Sequence, residues 1–290
     1  MKNSDITDPE FRAAVEAIDC GDIVALQHLL ETNPELVTKR LDVPTQGYFA
    51  YPYLLWFVAD NPIRHEKLPS NIVDVTRTIL RALQINFDNS YQDQIDYTLG
   101  LVSTGLIPRE CKAQIPLMKL LIEEGAQVKG SVLGPIAQQN FEAAEFLLDQ
   151  GAEYNFATAV ALGRIKNVKK RMKNATAAEL YLALVVAAFF GKVDMISLLV
   201  EAGANVNGHD AQKDFEGFHA HGTALHQAVS SGSLECVQLL VNAGASLEAT
   251  DRIYHHTPLG WAAYMRSEER DATKGENYKE IENYLRSRQN

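Results

Sequence analysis

The sequence predicts an all-α solenoid of stacked helix-turn-helix units, and three observations carry that prediction. One 30-residue unit, Gly222 to Asp251, runs through a small-residue segment, Gly232, an apolar segment ending in Leu239 and Leu240, and then Gly244 and Ala245. The unit recurs. Thr257, Pro258 and Leu259 repeat Thr223, Ala224 and Leu225 at an offset of 34, while Gly191, Leu198, Leu199, Gly203 and Ala204 precede their counterparts from Gly232 to Ala245 by 41, one period plus a loop insertion. Within the unit, Leu234, Val237 and Leu240 fall at helical spacing, with Cys236 and Leu239 widening the stripe. Helix pairs this short cannot bury such a stripe alone, so neighbouring units must stack.

Local chemistry agrees with that reading. Ala224 and Ala228 leave room for close helix approach, Thr223 and Thr257 stand where N-caps belong, and Pro258 occupies a first turn. Gly244 sits where a helix end calls for positive φ.

These residues resemble the ankyrin repeat, whose pattern is Thr-Pro-Leu-His-x-Ala-Ala, a central Gly, Val-x-x-Leu-Leu and a closing Gly-Ala. Taken in chain order, Phe11 to Val37 keeps Gly21-Asp22 and Leu29-Leu30 but ends in Asn33-Pro34. Between residues 48 and 110, Tyr53 to Ala59 stands where a first helix belongs and Ile72 to Leu83 supplies a second. Leu117 to Ala126 and Phe141 to Ala152 keep Leu-Leu and Gly-Ala, and Ala157 to Met172 is a truncated copy around Gly163. The resemblance thus implies an ankyrin-repeat solenoid with inter-repeat fingers, a single array of about seven or eight units over residues 1–290. Degenerate repeats occupy 11–129, more regular ones 130–265, and a capping segment 266–290. In that segment a polar linker, Ser267 to Asn277, leads to a final helix with Tyr278, Ile281 and Leu285 on its apolar face and Lys279, Glu280, Glu282 and Arg286 outward. Gly217 to His221 leading into Thr223 to Ala228, with Thr257 to Ala262 later, is similar to bacterial stand-alone ankyrin-repeat proteins.

Composition narrows the function. Hydrophobic residues at 46% and charged residues at 22% suit a chain that buries a core. A net charge of −10 repels phosphate backbones, which argues against a nucleic-acid partner. The exception is a cluster of Arg164, Lys166, Lys169, Lys170, Arg171 and Lys173, which reads as a solvated helix face or as a surface for an acidic groove. Cys20, Cys111 and Cys236 lie too far apart for a disulfide framework or metal-ligand spacing and read as reduced thiols. The N-terminal segment has no apolar run, and the longest apolar stretch, Leu180 to Phe190, suits a buried helix better than a membrane span. The expectation is a cytoplasmic monomer with no membrane partner and no cofactor. Phosphate-cradling loops, nucleophile elbows and His-Glu-x-x-His are absent, and adjacent carboxylates such as Glu123-Glu124 and Glu268-Glu269 diverge on a helix, so no enzyme is expected.

The resemblance implies instead that another protein or peptide binds the concave face, touching the fingers and the two residues before each central Gly. Those pairs are Gln138-Gln139, Ala161-Leu162, Phe189-Phe190, Ser230-Ser231 and Tyr264-Met265. Phe189 and Phe190 either meet the partner or fill the gap left by the long insertion, Gly208 to His221. Phe218, His219 and His221 from that insertion, and Asp251, Arg252, Tyr254 and His255 from the next finger, complete the candidate partner-binding set. An alternative is a small-ligand or metal-binding module on the His-rich fingers 208–221 and 251–256. It would use His219, His221 and His255, with His209, Asp210, Asp214 and Glu216 as further donors.

Overall fold

The computed structural model describes residues 3–42, 47–208, 218, 219 and 221–289. Among these the only strand-like feature is an isolated bridge between Ser131 and Glu153, so the expected all-α class holds. The chain divides into two compact units, Met1–Glu153 and Tyr154–Asn290. Of the charged residues, 12 basic and 22 acidic fall in the first, against 15 and 15 in the second. The whole formal charge of the chain therefore belongs to its first unit. No helix among the described residues is long and apolar enough to cross a membrane.

In the first unit, α1 (Pro9–Cys20) and α2 (Ile23–Thr32) form the opening pair, each started by an aspartate: Asp8 accepts from the Phe11 amide and Asp22 from that of Ala25. The segment expected as a first helix near residue 54 is a 3-10 helix, Leu54–Ala59, with all six residues buried. A helical pitch of three residues points side chains all round, which matches LLWFVA, a run with no polar face. It packs on α1, on α3 (Ile72–Ile85) and on α4 (Tyr91–Thr104). After the short α5 (Leu106–Glu110) come α6 (Gln114–Glu123), α7 (Leu133–Ala137) and α8 (Phe141–Asp149). Irregular turns here are held by buried amides. The Gln114 Nε2 donates to the carbonyls of Val102 and Ser103, and the Asn140 Nδ2 to that of Ser103.

The second unit is more regular. It contains the pairs α9 (Phe156–Ala161) and α10 (Ile165–Met172), α11 (Ala177–Phe189) and α12 (Val193–Glu201), α13 (Ala224–Ser230) and α14 (Leu234–Asn242), and α15 (Pro258–Glu268) and α16 (Ala272–Gln289). First helices stack in the order α9, α11, α13, α15, and second helices stack from α12 to α14 to α16. The caps stand where the sequence places them: Thr223 accepts from the His226 amide, Thr257 from that of Gly260, and Gly244 has φ 89°.

The terminal segment differs from expectation in two respects. The polar linker from Ser267 to Asn277 is only a short break, because α15 continues to Glu268 and α16 starts at Ala272, where Asp271 accepts from the amides of Thr273 and Lys274. Glu282 does not face outward with Lys279 and Glu280. It is buried at 4% exposure beside Tyr278, Ile281 and Leu285, and its charge is met by Arg286 at 2.7 Å and Arg266 at 3.0 Å.

Candidate functional site

The finger between α14 and α15 is organised by one carboxylate. Asp251 is fully buried, and its Oδ1 accepts from the amides of Ile253 (3.0 Å) and Tyr254 (2.7 Å). Its Oδ2 accepts from the His256 amide (3.0 Å) and from the indole Nε1 of Trp261 (2.9 Å). Burial alone would raise the pKa of this group. The four N–H donors, led by Tyr254 and Trp261, outweigh it and hold the carboxyl well below the usual carboxylate range. Two backbone bonds close the finger: the Asp251 amide donates to the His256 carbonyl and the Arg252 amide to that of His221, both at 2.9 Å.

Trp261, thus anchored, is the hub of an imidazole cluster. Its ring lies 4.9 Å from that of His226, 5.3 Å from His221 and 5.5 Å from His219. The fully buried His226 accepts at Nδ1 from the Thr223 amide (3.1 Å), so its proton sits on Nε2, which donates to the His256 carbonyl (3.0 Å). Gly222 makes the approach possible. A Cβ there would stand 2.8 Å from the His226 Cβ and 3.1 Å from the Trp261 Cη2. His219 is fixed through its backbone, whose carbonyl accepts from the Gln227 side chain (2.7 Å). Burial among these rings, and then the neighbouring His221, lower the pKa of His219 below the ordinary imidazole value.

Over this hub opens a cavity of about 300 Å³ lined by His219, His221, Tyr254, His256, Trp261, Tyr264 and Met265. That lies at the small end of the range for ligand pockets, about 300–1,000 Å³. It has room for one large side chain or a small aromatic molecule. Its lining offers rings, a thioether and imidazole nitrogens, with no carboxylate and no nucleophilic hydroxyl apart from phenols.

A family model described as ankyrin repeats (3 copies) matches this part of the chain, over residues 156–251 and 184–271. Residues 156–271 are thus similar to ankyrin repeats. The ankyrin repeat domain of human ASB11, a crystal structure, is similar at 16% identity with a TM-score of 0.35, covering 94% of this chain and 97% of that one. No curated protein matches.

Within this stretch the expected site residues have different placements. His219, His221, Tyr254, Tyr264 and Met265 meet in the cavity, although they come from two fingers and a helix. Phe189 and Phe190, half-buried, pack edge-on at 5.0 Å to each other, and Phe189 lies 5.0 Å from Phe218. Phe218 is 3% exposed and Asp251 is fully buried, so neither can touch a partner; one fills the space under the two phenylalanines and the other builds the finger. Ser230 and Ser231 are also structural. The Ser230 carbonyl accepts from the Tyr278 hydroxyl, and the Ser231 hydroxyl donates to the Ala228 carbonyl. Arg252 is exposed on the finger. His255, at φ 56°, is exposed and does not line the cavity, and its place is taken by His256.

Among the described residues, no group of three or more His, Cys, Asp or Glu is arranged to hold a metal ion. His209, Asp210, Asp214 and Glu216 lie outside the described residues. Sequence reasoning missed Trp261, and within the finger 251–256 it chose His255 over the neighbouring His256. The signal for Trp261 was available: at the 34-residue offset a tryptophan stands opposite Gln227, one turn inside a helix whose neighbours are small.

Proposed function

We propose that the chain is a non-catalytic protein-binding scaffold, acting as an adaptor or inhibitor, and that it seats one large side chain of its partner in the cavity over Trp261. Ankyrin repeats generally mediate protein–protein interaction, and the observation that carries the finer reading is the composition of that cavity. Tyr254 (63% exposed), from the finger, and Tyr264 (56% exposed), from α15, both line the pocket, and Ile253 (60% exposed) precedes Tyr254 on the finger. Exposed aromatics around a preformed pocket are the usual anchors of an interface, because two χ angles are cheap to fix and the rings bury large areas. Catalysis draws no support from Asp251, whose two oxygens are taken up by the finger amides and the Trp261 indole.

The test is affinity capture followed by binding to the purified captured protein. The double variant Tyr254→Ala, Tyr264→Ala should keep wild-type helicity and lose at least tenfold in affinity. Unchanged affinity would overturn the reading. A second reading, a small-ligand site in the same cavity, is favoured by its ring-lined composition, and a soluble aromatic such as indole shifting the His219 and His221 resonances would support it. Elemental analysis of untagged protein tests the metal alternative, which a stoichiometric metal would restore.

A further inference from the structure

A second surface, on α10, carries chemistry that the cavity does not use. From Tyr154 to Ala178 the chain has six cations, Arg164, Lys166, Lys169, Lys170, Arg171 and Lys173, and no carboxylate. All six are exposed, and only Val168 of α10 is buried. Lys166 and Lys170, and Lys169 and Lys173, are four residues apart, while Lys166 and Lys169, and Lys170 and Lys173, are three apart, so α10 stacks like charges along one side. Helices α6 and α16 instead mix signs at this spacing: Lys119 pairs with Glu123, Lys279 with Glu276 and Arg286 with Glu282. Cations in the last turn are favoured by the helix dipole, which accounts for Lys169, Lys170 and Arg171 but not for Lys166.

Beside this face lies a cavity of about 550 Å³ lined by Tyr154, Phe156, Asn167, Lys170, Arg171, Asn174, Ala175 and Glu179. Its walls are held in place. The Arg171 guanidinium donates to the Tyr154 carbonyl (2.8 Å) and lies 5.3 Å from the Tyr154 ring, with Arg164 at the same distance, and Asn167 donates to the Tyr154 hydroxyl (3.1 Å). Glu179 is turned to its own helix, where it accepts from the Thr176 amide and hydroxyl, and these bonds lower its pKa. Fixed amides and cations around an aromatic floor suit carboxylates interleaved with an apolar side chain.

We propose that the α10 face and its cavity form a docking site for an acidic polypeptide segment, separate from the cavity over Trp261. The segment's carboxylates meet Lys166, Lys169, Lys170 and Lys173, and an apolar side chain rests on Tyr154. A polypeptide is preferred to a nucleic acid because the unit that carries α10 has 15 basic and 15 acidic residues, so its cationic face is confined to one helix and suits a short acidic stretch better than a long phosphate backbone.

Fluorescence anisotropy on the full chain tests this with a labelled twelve-residue peptide of four Glu-Glu-Leu repeats. Its Gln-Gln-Leu counterpart and a single-stranded oligonucleotide of equal charge serve as comparisons. Saturable binding of the acidic peptide is expected, weakening as salt rises, with at least a tenfold loss against the Gln peptide. The variant Lys166→Gln, Lys169→Gln, Lys170→Gln, Lys173→Gln should melt no lower than the wild type and lose at least tenfold in peptide affinity. Tyr254→Ala, Tyr264→Ala should leave peptide binding unchanged, which separates this site from the cavity over Trp261. Equal binding by wild type and the lysine variant, no saturable binding, or tighter binding of the oligonucleotide would each overturn the proposal. So would salt-sensitive self-association that vanishes in the lysine variant, since it would give the face to a second copy of the chain.

Discussion

Replacing Asp251 by alanine removes the acceptor for four N–H donors at once. Hydrogen bonds to a charged group contribute about 1.5–3 kcal/mol each, so the gross loss is about 6–12 kcal/mol. Two effects reduce it. Burying the carboxylate itself costs several kcal/mol, which the variant no longer incurs. Ile253, Tyr254 and His256 are exposed, so their amides regain water once the finger loosens, whereas the indole of Trp261, 6% exposed, is left without an acceptor. The net expectation is about 2–4 kcal/mol lost from the last repeats. Urea unfolding followed by Trp261 fluorescence in a Trp56→Phe background measures it, and amide exchange at Tyr254 and His256 should accelerate more than at Leu240. The pH dependence supplies a second check. The folded pKa of Asp251 is depressed, so the stability it contributes is present above its unfolded value of about 3.9 and is lost as pH falls from there toward the folded value. Below about pH 4 the wild type should therefore lose stability faster than Asp251→Asn, which has no carboxyl to protonate. A variant within about 0.5 kcal/mol of wild type, with the same acid slope, would refute the role given to this carboxylate.

Gly222→Ala should cost about 1–3 kcal/mol, because its methyl meets the His226 Cβ at 2.8 Å and the Trp261 Cη2 at 3.1 Å; unfolding midpoints of the two proteins decide it. In an NMR titration, His219 should take up its proton at lower pH than an ordinary imidazole, and His221→Ala should raise its midpoint; a midpoint at or above about 6.5 contradicts the environment described. Since the charged form is disfavoured in the fold, this group makes the protein less stable as pH drops below the unfolded value. Glu282→Gln should cost about 1–2 kcal/mol by halving its reach to Arg266 and Arg286, while Arg286→Ala should cost less because Arg266 still pairs; comparing their thermal midpoints tests the order.

What the residues disclosed depended on whether the determining interaction was local. Caps and turns are local, so Thr223, Thr257 and Gly244 could be placed from the sequence alone. Residues at the register of Phe189, Ser230 and Tyr264 could be aligned for the same reason, but which of them face an opening depends on what the neighbouring finger supplies. Phe218 covers the first, and Tyr278 ties down the second. The exchange of His255 for His256 turns on a single positive φ within the finger. Glu282 looked like a surface residue because a stripe analysis reads polarity and cannot see two arginines arriving from its own helix and the one before it. The 3-10 segment Leu54–Ala59 escaped registration because six consecutive apolar residues carry no period at all.

The bracket at Asp251 grips its finger through peptide N–H groups, which every amino acid but proline supplies, and asks nothing of the side chains at the tip. Mutation can therefore rewrite Ile253, Tyr254 and His255 without unfastening the loop that displays them. The finger is a ready-made mount for a randomised library, with proline kept out at 253–256 and β-branched residues kept out of 255, where φ is 56°, and a lineage could change the chemistry displayed there while leaving the rest of the chain as it stands.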